Sequence, residues 1–163
     1  MMIDGMLLQF DMTRREDYGL FLNIHYSTLR DLRAGWRDED HDDFLVMAHC
    51  LQEDLDALGI AATALNPTTR APLTAGNRFG VAYIIRGSRL DSIVMRHRVP
   101  MRFAASYLGF SPALSWTKFL QQLESCISKN QEWGQSQRII AEITCGARLT
   151  LSIFASELTQ ALA

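Results

Sequence analysis

The chain has 163 residues, which suffice for one compact domain with a substantial core and are too few for two. Hydrophobic residues make up 48% and charged residues 21%, a balance typical of an ordered globular protein and unlike that of a disordered one. The net charge of −2 gives no bulk attraction to nucleic acid or to an anionic membrane. We therefore expect a single domain over residues 1–163 that binds neither nucleic acid nor membrane.

The first predicted helix begins at Thr13. Thr13 and Glu16 have the spacing of a capping box, in which a hydroxyl and a carboxylate satisfy amide groups of the first turn. Core-type residues then recur at helical spacing, at Tyr18, Phe21, Leu22, His25, Leu29 and Leu32. Gly35 is the expected stop.

A second helix follows the acidic stretch from Asp38 to Asp43 and carries Phe44, Ala48, Leu51, Leu55 and Leu58. Acidic residues at a helix N-terminus are stabilised by the helix dipole. The stretch also lacks the glycine and the distal glutamate of a calcium-binding loop, so it predicts a solvated helix start. Gly59 is expected to end this helix, and residues 60–73, with two prolines, to form a loop.

A third helix is predicted from Ala75 to Arg98, with Pro100 beyond it. Gly76, Gly80 and Gly87 lie inside this helix. Each glycine costs about 1 kcal/mol relative to alanine in a helix interior, so a packing or functional reason for them is expected.

Two further helices complete the predicted fold. One begins at Ser111 or at Ser115 and carries Trp116, Phe119, Leu120, Leu123 and Ile127. The last runs from about Gln131 to near the C-terminus, with its apolar stripe at Ile140, Ile143, Ala147, Leu151, Phe154 and Leu158. No strand alternation of comparable strength is present, so the fold class is all-α.

The cellular setting is predicted from cysteines and apolar runs. Cys50, Cys126 and Cys145 are odd in number and lie in helical patterns, which predicts buried free thiols in a reducing compartment. The first ten residues lack the basic region of a signal peptide. No apolar run is expected to be long enough to span a bilayer. A cytoplasmic protein is the resulting expectation.

The stretch from Gly80 to Met95 resembles the distal helix of bacterial, biliverdin-producing heme oxygenases. That helix reads as glycine, apolar residues with a tyrosine, Glu-Gly-Ser, any residue, and Leu-Gly-Gly. The matching positions are Gly80, Tyr83, Gly87, Ser88 and Leu90. Weaker likenesses at residues 18–25, 54–59 and 116–120 fall in the family's order. The resemblance extends from about Leu8 to Leu158 and implies a heme-oxygenase-like multi-helical fold.

Three departures from the family concern its heme site. The family carries its iron-ligating histidine on a helix before the one that begins here at Thr13, and residues 1–12 contain no histidine. The two glycines that let the distal helix approach the porphyrin are Asp91 and Ser92 here. The glutamate before Gly-Ser is Arg86. The resemblance therefore indicates a degenerate member that keeps the scaffold without heme degradation.

The site residues expected from this resemblance form a cleft beside the distal helix, at Tyr83, Arg86, Gly87, Asp91 and Ser92. Candidate contacts to a protein partner are the arginines of this region, Arg89, Arg96, Arg98 and Arg102. The expected function is a regulatory or protein-binding module without a cofactor, with a signalling protein as one type of partner. A homodimer is a further option, for which the methionine-rich segment Met1 to Leu8 offers apolar surface.

The alternative is an enzyme, a divergent heme oxygenase that converts heme to biliverdin, carbon monoxide and ferrous iron with dioxygen and an external electron donor. His25 is then the candidate iron ligand and Asp91 the distal proton relay. The simpler interpretations are a partly buried His25 hydrogen-bonded to a neighbouring helix and an ion pair between Asp91 and Arg86 or Arg89. A third hypothesis is that the protein carries heme without degrading it.

Overall fold

The computed structural model describes residues 10–33, 42–62, 72–129 and 134–162. These residues form helices and no strand, which confirms the all-α class. The helices are α1 (Arg15–Arg33), α2 (Asp42–Ala57), α3 (Ala75–Ser88), α4 (Ser92–Arg98), α5 (Ser106–Gly109), α6 (Trp116–Lys129) and α7 (Gln135–Ala161). A 3₁₀ turn, Arg89–Asp91, joins α3 to α4. The predicted stop at Gly35 and most of the acidic stretch lie outside the described residues.

Helix α1 is the central element of the core. Its buried side includes Tyr18, Phe21 and Leu22, as the apolar spacing predicted. It packs against α2 on one side and against the C-terminal half of α7, around Phe154 and Leu158, on the other. Each large apolar side chain that is fully buried stabilises the fold by about 1.5–3 kcal/mol.

The N-terminus of α1 differs from its prediction. The helix begins at Arg15, and the Thr13 hydroxyl donates a 2.6 Å hydrogen bond to the Asp11 carboxylate. Asp17 in turn accepts from the backbone N–H of Asp11 at 3.1 Å. The first turn is therefore anchored by two aspartates rather than by the expected box of Thr13 and Glu16.

The end of α2 agrees with the sequence. Gly59 adopts a φ of +64°, the left-handed conformation that glycine tolerates best, just after the helix ends at Ala57. The Arg15 side chain also donates to the carbonyl of Leu58, with an Nε–O distance of 2.8 Å. Gly59 therefore ends α2, and the hydrogen bond from Arg15 ties the end of α2 to the start of α1.

Helices α3 and α7 cross at very short range. A Cβ atom on Gly80 would overlap the backbone carbonyl of Ile143, and one on Gly146 would overlap the carbonyl of Asn77. The Asn77 side chain donates to the Glu142 carbonyl at 2.8 Å, and it also completes a capping box with Thr74. The crossing supplies the packing reason for Gly80 inside a helix.

The helix predicted as continuous from Ala75 to Arg98 is interrupted. The 3₁₀ turn Arg89–Asp91 breaks it, and the Ser88 hydroxyl donates to the Ile85 carbonyl at 2.8 Å just before the break. The Arg89 side chain turns inward and donates to the carbonyls of Tyr107 and Phe110 beside α5. α5 was not predicted as a helix, and α6 begins after Ser115, the second of the two predicted starts.

By length and composition alone, the last helix is long enough and apolar enough to cross a membrane. It has 27 residues, and its most apolar window has a mean hydropathy of 1.4. The expectation that no apolar run is long enough to span a bilayer was therefore wrong. One face of the helix packs on α3 and α1 through Gly146, Thr150, Ile153, Phe154 and Leu158.

Candidate functional site

A cleft of about 300 Å³ opens between α1, the segment formed by the 3₁₀ turn and α4, and the short helix α5. Its walls are mostly apolar and are formed by Phe21, Val94, Met95, Tyr107 and Leu108. Six polar side chains also line it, namely His25, Ser88, Arg89, Asp91, Ser92 and Arg98. An apolar pocket with a few convergent polar groups is the usual form of a ligand site.

His25 is held inside an aromatic cage at the base of the cleft. The ring centroids of Phe21, Phe154 and Tyr107 lie 4.2, 5.0 and 5.4 Å from that of His25. Burial lowers the pKa of His25 to about 4, and the charge of Arg89 acts in the same direction. His25 is therefore neutral at neutral pH.

The tautomer of His25 follows from its hydrogen bond. Nδ1 lies 2.8 Å from the carbonyl oxygen of Phe21, one turn back in the same helix. Because a carbonyl only accepts, Nδ1 carries the proton and Nε2 is left as an acceptor. The expected hydrogen bond to a neighbouring helix is thus replaced by one within α1.

Arg89 is the buried cation of the cleft, with an exposed fraction of only 8%. Its guanidinium carbon lies 4.4 Å from the centroid of the Tyr107 ring, and one terminal nitrogen donates to the carbonyls of Tyr107 and Phe110. The Nε–H has no hydrogen-bond partner within the described residues. An unpaired buried donor of this kind is costly, by about 1–3 kcal/mol.

Asp54 supports the cleft from below. It is fully buried on α2, and its two carboxylate oxygens accept the backbone N–H groups of Ser106 at 2.8 Å and Tyr107 at 2.9 Å. Amide groups in the first turn of a helix have no acceptor within the helix. By accepting these two, Asp54 fixes the short helix that carries Tyr107.

The five residues expected to form the cleft divide between two faces of the chain. Asp91 and Ser92 line it. Tyr83 and Gly87 instead face Trp116 on α6, since the Tyr83 and Trp116 ring centroids are 5.3 Å apart and a Cβ on Gly87 would lie 3.7 Å from Trp116. Residues 83 and 87 are four positions apart and so share a helix face that differs from the face of the cleft.

Arg86 does not line the cleft and does not pair with Asp91. It forms a 2.8 Å ion pair with Asp43 at the start of α2 and donates to the Leu114 carbonyl at 3.0 Å. Its guanidinium also lies 5.6 Å from the centroid of the Phe119 ring. The expected pairing of Arg86 with Asp91 is replaced by this link between α2, α3 and the loop before α6.

The four candidate contact arginines also have different positions. Arg89 is buried, so it is not presented to a protein partner. Arg98 is exposed at the cleft. Arg96 lies over α5, and Arg102 donates to the Thr13 carbonyl at 3.2 Å, both with exposed side chains.

An exposed apolar surface, missed in the sequence, runs along α4. We call it the α4 ridge and define it by Leu90, Ile93 and Val94, at positions i, i+3 and i+4. Their exposed fractions are 57%, 69% and 66%, and Met101, which follows α4, is also fully exposed. Apolar residues at this helical spacing usually form the buried face of a helix. The sequence pattern alone therefore does not show that this face is exposed.

The remaining candidate ligands are on the surface. His49 pairs with Glu53 at 3.2 Å on the exposed face of α2. Cys145 is exposed, so the prediction of buried thiols was wrong for this residue, whereas Cys50 and Cys126 are half-buried. Across the described ranges, no cluster of three or more histidine, cysteine or acidic side chains is suited to a metal ion.

No family model, curated protein or solved structure matches this chain. Function is therefore derived from the geometry of the cleft and of the α4 ridge.

Proposed function

We propose that this chain is a heme-oxygenase-like scaffold that does not degrade heme and acts as a regulatory, protein-binding module. The α4 ridge is the observation that carries the proposal. Large apolar side chains grouped on one exposed helix face are unusual on a monomeric surface and are typical of interaction sites. Covering this face removes apolar surface from water, at about 25 cal/mol per Å².

The partner is expected to be acidic around its apolar contact. Arg96 and Arg98 are exposed on α4, Arg102 is exposed just after it, and Asp91 is an exposed acid just before it. Complementary charge favours association and discriminates among partners. A symmetric dimer through this face would bring the same arginines against each other, so a second copy of the chain fits less well.

The aromatic cage of His25 supports the absence of heme degradation. A porphyrin coordinated through Nε2 needs open space around the edge of the imidazole. Here three aromatic rings have centroids within 5.4 Å of that of His25. The residues present do not fit an iron-bound porphyrin in this arrangement.

One observation favours the alternative, a divergent heme oxygenase. His25 and Asp91, its candidate ligand and proton relay, line the same cleft. His25 is also neutral, as a metal ligand must be. This alternative requires that the cage around His25 open to admit the macrocycle.

Two designed peptides test the proposed module. Each is a helix with leucines at i, i+3, i+4 and i+7, flanked in one by glutamates and in the other by lysines. Binding is measured by fluorescence anisotropy of a labelled peptide at low and at physiological salt. We expect the acidic peptide to bind at least about tenfold more tightly than the basic one, with the preference reduced by salt.

Ile93→Asp is expected to abolish binding of the acidic peptide, because it places a carboxylate in the α4 ridge. Ile140→Asp is the matched control, since Ile140 is also an exposed helical isoleucine but lies on α7. Equal affinity for the two peptides, or equal effects of the two substitutions, would overturn the proposal.

A further inference from the structure

The cleft has features of a small-molecule site. Of the residues that define the α4 ridge, only Val94 also lines the cleft. Its volume of about 300 Å³ is at the lower end of the range for small-molecule pockets. Phe21, Met95 and Leu108 give it an apolar interior. A compact apolar body is therefore favoured over an extended polar one.

The charges of the cleft favour an anion. Arg89 and Arg98 line it against one acidic residue, Asp91. His25 adds no charge because it is neutral. The side chains that line the cleft therefore carry a net charge of +1, from two arginines and one aspartate.

Arg89 is the second, independent indication of a ligand. It is more than nine-tenths buried and lines the cleft, and its Nε–H is an unpaired donor within the described part of the chain. Native proteins rarely leave a buried donor unpaired without a functional reason. Arg89 also brings the positive charge of its guanidinium to the wall of the cleft.

We propose that the cleft binds an apolar monocarboxylate of about the size of a two-ring aromatic acid. The carboxylate lies on the arginine side, against Arg98 and the charge of Arg89, and the apolar body lies between Phe21, Met95 and Leu108. This site does not depend on the protein-binding role of the α4 ridge.

The test compares 2-naphthoate with the neutral 2-naphthamide by isothermal titration calorimetry at pH 7. The two probes share a ring system and differ in charge. We expect saturable one-to-one binding of the acid, at least about tenfold tighter than that of the amide. Ile93→Asp should retain this binding, which separates the site from the α4 ridge.

Two variants with the same change of charge locate the carboxylate. Arg98→Gln is expected to weaken 2-naphthoate binding about tenfold or more and to leave 2-naphthamide binding unchanged, whereas Arg102→Gln leaves both unchanged. Met95→Trp, which fills the cleft, should abolish binding of both probes while far-ultraviolet circular dichroism shows a folded protein. Equal affinity for acid and amide, equal effects of the two arginine variants, or no saturable binding to the folded protein would overturn the proposal.

Discussion

At the scale of single residues, the burial of His25 makes the stability of the fold depend on pH. Its pKa in the folded protein is about 4, below the ordinary value of 6.5. The unfolded chain therefore binds the proton first as the pH falls, and this contribution to stability is present above pH 6.5 and lost progressively toward pH 4. The full loss corresponds to about 3 kcal/mol.

The first prediction concerns this pH dependence. Chemical unfolding of the wild type and of His25→Phe is compared at pH 7 and pH 4.5, since phenylalanine fills the aromatic cage without titrating. The free energy of unfolding of the wild type should fall by about 2–3 kcal/mol more than that of the variant. Parallel losses in the two proteins would show that His25 is not held neutral by the fold.

Asp54 gives a second prediction. Asp54→Ala leaves the amides of Ser106 and Tyr107 without their acceptor, and we expect the free energy of unfolding to fall by about 2–4 kcal/mol. Asp56→Ala, on the exposed side of the same helix, is the control and should change it by less than about 0.5 kcal/mol. Similar losses in denaturant titrations of the two variants would refute the role of Asp54.

The sequence identified individual site residues only in part. His25 was predicted as a core residue because it lies on the apolar stripe of α1. The position of Arg89 was not predictable, because it depends on carbonyls of Tyr107 and Phe110 that are distant along the chain. Asp54 lies on the buried side of α2, where only the position of α5 reveals its role as a cap.

At the scale of helices, the crossing of α3 and α7 yields a third prediction. Gly80→Ala places a Cβ against the Ile143 carbonyl and should destabilise the protein by about 2–3 kcal/mol, although alanine is the better helix former. At Gly87 the nearest atom to an added Cβ is Trp116 Cη2 at 3.7 Å, so Gly87→Ala should be neutral or stabilise by up to about 1 kcal/mol. Denaturation midpoints that shift in the same direction would contradict this account.

Element boundaries were predictable where one residue type decides them. Gly59 ends α2 because the chain needs a positive φ there, and Ser115 precedes α6. The break at Arg89–Asp91 was not predictable, because local helical spacing continues through it. The cap of α3 was missed because Asn77, rather than a glutamate or glutamine, completes the box.

At the scale of the whole molecule, the all-α class was predictable from helical spacing alone. The family resemblance remains a proposal, and it grouped Tyr83, Arg86 and Gly87 with Asp91 and Ser92 as a single cleft. The structure places the first three against α2 and α6 and the last two with His25 and Arg89. Linear spacing does not distinguish these faces once a helix is broken between them.

Hemin binding tests most directly the claim that this scaffold does not degrade heme. Purified wild type and His25→Ala are titrated with hemin while the Soret band is followed, and ascorbate is then added. We expect no one-to-one complex, only weak association that is equal in both proteins, and no biliverdin. A tight one-to-one complex that His25→Ala abolishes, followed by formation of biliverdin, would contradict the claim and establish a divergent heme oxygenase.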